Sequence, residues 1–338
     1  MQERRMCAND WTDRSSVCAN SESDLGCSDT ARVDVDTAQM SSRRPPRALI
    51  AEIALLAVAA IWGLAFVAQR RGMDHMGPFL FNGLRFALGC LPLIPFLLRS
   101  SGTSRVTPER VGLRGVFLGL VLFVAASLQQ VGIVYTTVGK AGFITALYVV
   151  LVPILGLLGG SRIPRHVMAG VMMAAVGLYL LTMVGDAGSA RGPREAANLG
   201  DLLMLACALF WAIHILLVGR WAGRMPWPRL ALTQFATCSA VSLLSAVLFE
   251  PIIWTQVADA ALPILYAGLL SVGVGYTLQV VAQRHAPPTP AAIIMSLETV
   301  FAVIGGWWLL GERMGSTELT GCALMLLAMV IASVRRPD

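Results

Sequence analysis

Glu298 is a carboxyl set nine residues into an apolar stretch that runs from Thr289 to Leu310. At the centre of a bilayer a charged side chain costs about 2.5–3.5 kcal/mol, so it needs a proton or a partner. It has two possible roles. As a functional group, Glu298 exchanges protons or binds an amine inside a cavity. As a structural group, it bonds to the backbone of a neighbouring helix. Arg85 lies seven residues into an apolar stretch that opens at Pro78. Its planar fork suits a substrate carboxylate or phosphate, while a structural arginine there would snorkel outward or pair with Glu298. Lys140 is the one lysine among 26 basic residues. An ammonium is a compact point charge, unlike a guanidinium, so Lys140 marks either a site that needs that difference or a plain interfacial anchor. Gln129, Gln130, Trp62, Thr145 and Tyr148 complete the substrate- or ion-binding candidates. Gln69, Gln234, Gln279, Gln283, Ser271, Tyr276 and His214 are further polar residues of apolar segments. The plainer role for such amides and hydroxyls is hydrogen bonding between helices, worth about 0.6 kcal/mol each, and for His214 packing.

These residues fall in no enzyme motif. There is no HExxH, no GxSxG and no aspartate well inside an apolar segment, which disfavours intramembrane proteases and serine hydrolases. Gly139-Lys140 is followed by Ala141 and lacks the upstream glycine of a nucleotide loop. Cys7, Cys18 and Cys27 lack the close pairing of a zinc site. Cys90, Cys207, Cys238 and Cys322 sit in apolar segments, where cysteine behaves as a small hydrophobe. The expectation is a protein that is not an enzyme and has no catalytic residue, cofactor, metal or disulfide.

The elements that must position the candidates can be read from composition. Of 338 residues, 56% are apolar and 14% charged, with a mean hydropathy of +0.68. Soluble domains carry roughly 25% charged residues, so this is an integral membrane protein. The net charge of +6 is scattered between apolar runs, which argues against a nucleic-acid partner. Ten apolar segments lie near 49–69, 78–98, 112–134, 139–158, 166–184, 199–219, 230–249, 262–282, 289–310 and 317–334. Each is close to the ~20 residues that span a bilayer as a helix. Pro153 interrupts the fourth, and Pro287, Pro288 and Pro290 crowd the start of the ninth. Residues 1–47 are polar, with nothing to drive ordering, and are expected to be a disordered cytoplasmic tail. Met40, which opens the basic stretch to Arg47, is a second plausible start, so residues 1–39 are expected to be dispensable.

With the N-terminus inside, most loop arginines fall on the cytoplasmic face. Only Arg70, Arg71, Lys140, Arg191, Arg194 and Arg313 fall opposite, so both termini are expected inside. The chain also repeats. Ala59-Ala60-Ile61-Trp62 matches Ala208-Leu209-Phe210-Trp211, and the stretch around Pro153 matches that around Val300. The expected architecture is all-α, ten transmembrane helices as two inverted five-helix repeats, 48–184 and 199–334, joined by a linker at 185–198. Inverted repeats of this kind characterise secondary transporters that rock around a midplane site.

The motifs then carry a resemblance. Ala60-Ile61-Trp62-Gly63, the run Gly132 to Thr145 through Tyr135-Thr136-Thr137-Val138-Gly139-Lys140, Ser296-Leu297-Glu298-Thr299, and Leu310-Gly311-Glu312-Arg313 are similar to the drug/metabolite transporter superfamily, specifically its bacterial EamA-type branch. The family usually has Glu-Pro at Glu298-Thr299 and a Gly-Glu pair where this chain has Gly159-Gly160-Ser161-Arg162. The resemblance implies ten helices, a central cavity and export or exchange of a small metabolite. The expected function is secondary transport by alternating access across the bacterial inner membrane, for an amino acid or related compound, with export and proton coupling as its leading form. An uncoupled exchanger is the alternative within transport. A lipid scramblase or intramembrane enzyme is the alternative outside it. Expected partners are a small-molecule substrate, protons and the lipid bilayer, with a homodimer left open.

Overall fold

A computed structural model describes residues 46–99, 108–157, 165–180 and 194–333. The expected tail up to residue 45, with Met40 and its three cysteines, lies outside the described residues, as does 185–193 of the expected linker. Every regular element among the described residues is helical.

Helix α1 is Pro46–Gly72 and α2 is Pro78–Cys90, the latter continued by a 3₁₀ turn at Leu91–Leu93 and a short helix Ile94–Arg99. Next come α3 (Pro108–Tyr135), α4 (Val138–Thr145), α5 (Tyr148–Gly156), α6 (Arg165–Tyr179), α7 (Arg194–Trp221) and α8 (Trp227–Phe249). After the short helices Trp254–Asp259 and Ala261–Leu265, a π-helix spans Tyr266–Tyr276 and passes into α9 (Thr277–Ala282). The chain ends with α10 (Pro288–Met295), α11 (Glu298–Leu310) and α12 (Ser316–Ser333). Prolines open α1, α2, α3 and α10. Proline suits that position because a helix's first N–H has no intrahelical acceptor to lose.

Eight of the ten expected segments are described as helices long and apolar enough to cross a membrane, from Leu49–Gly72 to Ala291–Leu310. The fifth and tenth are not among these eight. The fifth is described over the 15 residues of α6, and the tenth as α12, with an apolar run at Leu319–Ala328. The two pack against each other. Large apolar side chains such as Phe249, Leu98 and Trp308 face outward, 75%, 80% and 74% exposed. A surface of that kind fits lipid and not water.

The fourth and ninth segments are each two helices, and the join is not at the prolines. Pro153 sits inside α5 and Pro288 begins α10. The joins fall at Ala146–Leu147 and Ser296–Leu297. There the ladder tightens: Val149 and Val150 donate to the carbonyls of Ala146 and Leu147, and Thr299 and Val300 to those of Ser296 and Leu297. Tightening to i→i+3 bonds of this kind rotates the second half of each segment relative to the first. It places Tyr148 and Glu298 as the first residues of their second halves.

Two carboxylates then tie helix starts to distant chain. Glu250 accepts from the Phe79 and Leu80 N–H groups at 2.7 and 2.8 Å. Glu312 accepts from Val138 and Gly139 N–H at 2.9 and 3.2 Å. Both pairs are otherwise orphan donors at a helix N-terminus, and an anion there also meets the positive end of the helix dipole. Glu312 can reach α4 because Gly311 ends α11 at φ 68°, a left-handed conformation that favours glycine.

Candidate functional site

The helices of both halves converge on one pocket, with about 430 Å³ of empty space when the part open to its surroundings is counted. Helix α1 contributes Trp62, Ala65, Phe66 and Gln69; α2 contributes Arg85; α3 contributes Gln129. Thr145 and Tyr148 come from the two sides of the join between α4 and α5, and Glu298 from just past the join before α11. Trp211 and Ile215 of α7, Ser271 and Tyr276 of the π-helix and Gln279 of α9 close it.

Close packing sets these positions. Gly63 faces α11, and a Cβ there would stand 2.5 Å from the Glu298 carbonyl oxygen. The glycine therefore lets α1 run directly against the start of α11. A Cβ at Gly275 would be 2.6 Å from the Trp62 indole nitrogen, and that nitrogen donates to the Ser271 carbonyl at 3.1 Å. The rings of Trp62, Trp211 and Tyr276 form one cluster, with centroids 4.6 Å apart for Trp62–Tyr276 and 5.8 Å for Trp211–Tyr276. The cluster is a rigid wall with the negative ring faces that favour cations.

Two charged side chains face the pocket. Arg85 is 2% exposed, and its Nε and one terminal nitrogen have no hydrogen-bond partner. Its guanidinium lies 5.0 Å from the Phe86 ring centroid and 5.8 Å from that of Phe81. It neither snorkels outward nor pairs with Glu298. Glu298 is 3% exposed. The Tyr148 hydroxyl lies beside its carboxyl, although that hydroxyl completes no hydrogen bond in this arrangement. No ion pair to Glu298 occurs among the described residues. A buried charge without a partner is costly, so each of the two is poised for an opposite charge.

The pocket's amides divide into two kinds. Gln129 donates to the Gln69 side-chain oxygen at 3.0 Å and accepts from the Trp211 indole at 2.7 Å. Both ends of its amide are thus occupied. Gln279 is fully buried, and neither end of its amide has a partner.

Of the eight residues expected from the sequence, Glu298, Arg85, Gln129, Trp62, Thr145 and Tyr148 line this pocket. Gln130 and Lys140 do not. Gln130 follows Gln129 on the helix and points another way, giving its amide to the Gln69 carbonyl at 3.2 Å. Lys140 is buried in the first turn of α4, where its N–H bonds to the Thr137 hydroxyl. It is a full turn short of Thr145, the α4 residue that reaches the pocket. Ile215, Phe66 and Ala65 line the pocket and were not anticipated, since nothing distinguishes them from other apolar residues of their helices. Trp211 could have been found, as it is the repeat counterpart of Trp62. His214 lies outside the lining. It bonds Gln234 at 3.0 Å and packs edge-on against Trp211, which is a packing role. Among the described residues no group of three or more His, Cys, Asp or Glu is placed to hold a metal ion.

Comparison with known proteins fits this arrangement. The EamA-like transporter family matches twice, over 49–183 and 198–334. An uncharacterized transporter of Archaeoglobus fulgidus is 33% identical over 290 residues, covering 85% of this chain and 87% of that protein. The threonine/homoserine exporter RhtA of Escherichia coli is 28% identical, with 87% and 92% covered. A probable amino-acid metabolite efflux pump of Salmonella typhimurium is 26% identical, with 82% and 92% covered. A solved crystal structure shares the fold with a TM-score of 0.63 at 21% identity, over 84% of this chain and 96% of that one. The chain is a multi-pass membrane protein, and it belongs to the EamA-like transporter family.

Proposed function

We propose that the protein exports a small zwitterion of the amino-acid class across the bacterial inner membrane. The observation that carries this reading is the pair Arg85 and Glu298. They are opposite charges, both buried, both without an ion partner, and both face one pocket. Arg85 takes the substrate carboxylate through its planar fork. Glu298 takes the ammonium, with Tyr148 beside it and the Trp62–Trp211–Tyr276 wall adding attraction for a cation. The relatives named as exporters of threonine, homoserine and amino-acid metabolites support the same class and direction.

Transport follows from what each charge needs. An ionised carboxylate with no partner is costly inside a membrane. When the substrate ammonium leaves, a proton takes its place on the Glu298 carboxylate. When the proton leaves, an ammonium can bind. One group thus serves two cations in turn, which makes one proton inward exchange for one substrate outward. Ten transmembrane helices in two inverted five-helix repeats, rocking about the pocket with both termini cytoplasmic, provide the alternating access.

The test is thermal unfolding of the purified full-length protein against panels of amino acids, sugars, nucleosides and dicarboxylates. A ligand at a hundred times its Kd stabilises the native state by about 2.7 kcal/mol. Amino acids are expected to raise the melting temperature while the other classes leave it unchanged. Stabilisation by another class and not by amino acids would overturn the reading.

A further inference from the structure

The zwitterion's two charges account for Arg85 and Glu298 but leave Gln279 unexplained. Gln279 is fully buried, it lines the pocket, and both its amide oxygen and its amide nitrogen lack partners. Leaving even one such buried group unpaired costs its full desolvation penalty.

Its register explains how it came to be free. As many residues separate Gln129 from Gln279 as separate Tyr148 from Glu298, or the first residue of α4 from that of α10. The two glutamines therefore hold matching places in the two family-matched halves. Gln129 is locked from both sides, by Gln69 and Trp211. The matching locks for Gln279 are missing. Counted from Trp211 as Gln69 is counted from Trp62, the counterpart of Gln69 is Val218, which has no amide. The counterpart of Trp211 is Trp62, and its indole N–H is spent on the Ser271 carbonyl. One half holds its glutamine as scaffold, and the other presents the same residue to the pocket.

We propose that Gln279 reads the substrate's side chain, and that this side chain carries a hydroxyl or a carboxamide. The proposal rests on the zwitterion reading and adds the part of the substrate between its charges. An amide offers one acceptor and two donors. The groups that satisfy both ends at once are those that also donate and accept, which are hydroxyls and amides. A purely apolar side chain would leave both ends of Gln279 unpaired, and a site built to hydrogen-bond a hydroxyl rejects the analogue that lacks it.

The experiment compares threonine with valine, which is nearly isosteric and lacks the hydroxyl, by equilibrium binding to the full-length protein. Wild type is expected to prefer threonine at least tenfold. In Gln279→Met, which keeps length and removes the amide, that ratio should fall to within twofold, with valine binding no weaker than before. Equal binding of the two by wild type would overturn the role of Gln279 and leave the zwitterion reading standing. The wild-type comparison needs no variant to fold. A Gln279→Met protein that keeps the tenfold preference would place the hydroxyl's partner elsewhere and also overturn the proposal. Failure of wild type to bind any amino acid would overturn both.

Discussion

Arg85→Met is expected to make the substrate-free protein more stable and to weaken its binding and transport of the substrate strongly. The reason is the lack of a partner. Removing one member of a buried ion pair is destabilising because it strands the other charge. Here the Arg85 guanidinium lies over the Phe81 and Phe86 rings, leaves two nitrogens unbonded and has no ion pair among the described residues, so its removal strands no opposite charge. The desolvation cost of the guanidinium disappears, and a flexible apolar chain fills the same space. The melting temperature of the empty protein should rise by a few degrees, as expected for about 1 kcal/mol in a protein of this size. Substrate affinity should fall by about 100-fold or more, since the bound carboxylate would then be the unpaired charge. Thermal unfolding with and without amino acid measures both effects. A fall in the melting temperature of the empty variant would mean that Arg85 has a structural partner and is no substrate clamp.

Glu298→Gln separates the two cations that the carboxyl is proposed to serve. The amide oxygen still accepts from an ammonium, so exchange of amino acid at one fixed pH is expected to weaken by roughly 10- to 100-fold without vanishing. The amide takes up no proton in its place, so the driving effect of a pH gradient should vanish. In vesicles containing wild type, export should accelerate when the receiving side is made acidic, because protons then run inward as substrate runs outward. In the glutamine variant the same gradient should change nothing. A wild type indifferent to the gradient would make the protein an uncoupled exchanger and reject the proton's role while leaving the ammonium's intact.

How much of this was readable from the chain differs by residue. Glu298 and Arg85 were legible because a charge inside an apolar run is expensive, whatever its surroundings. Trp62 and Trp211 were legible as a repeat. The choice between Gln129 and Gln130 was not. Adjacent residues on a helix point about 100° apart, and a helix that is apolar on every face gives no sign of which side meets the pocket. That Lys140 does not line the pocket was hidden for a related reason. Its rarity is a property of the composition, whereas its position at the start of α4 depends on where the fourth segment turns. The prolines suggested that turn at Pro153, but a proline is tolerated inside α5 because neighbouring helices can make up for its missing bond. The actual joins, at Ala146–Leu147 and Ser296–Leu297, have no proline or glycine to announce them. The freedom of Gln279 was the least visible of all, since it depends on hydrogen bonds that its counterpart makes and it does not.

If one pocket holds both ends of a zwitterion, matched analogues that lack one end or the other will show it. Vesicles containing the full-length protein are loaded with a labelled amino acid, and exchange is driven by the amino acid, its decarboxylated amine or its N-acetylated acid. Wild type should favour the amino acid over either analogue by about 100-fold, the worth of one lost charged contact. In Arg85→Met the preference over the amine should disappear, and in Glu298→Gln the preference over the N-acetylated acid should disappear. Each variant should lose the one preference that its missing group supplied. Preferences that survive both substitutions, or that are lost in the opposite pairing, would contradict the account.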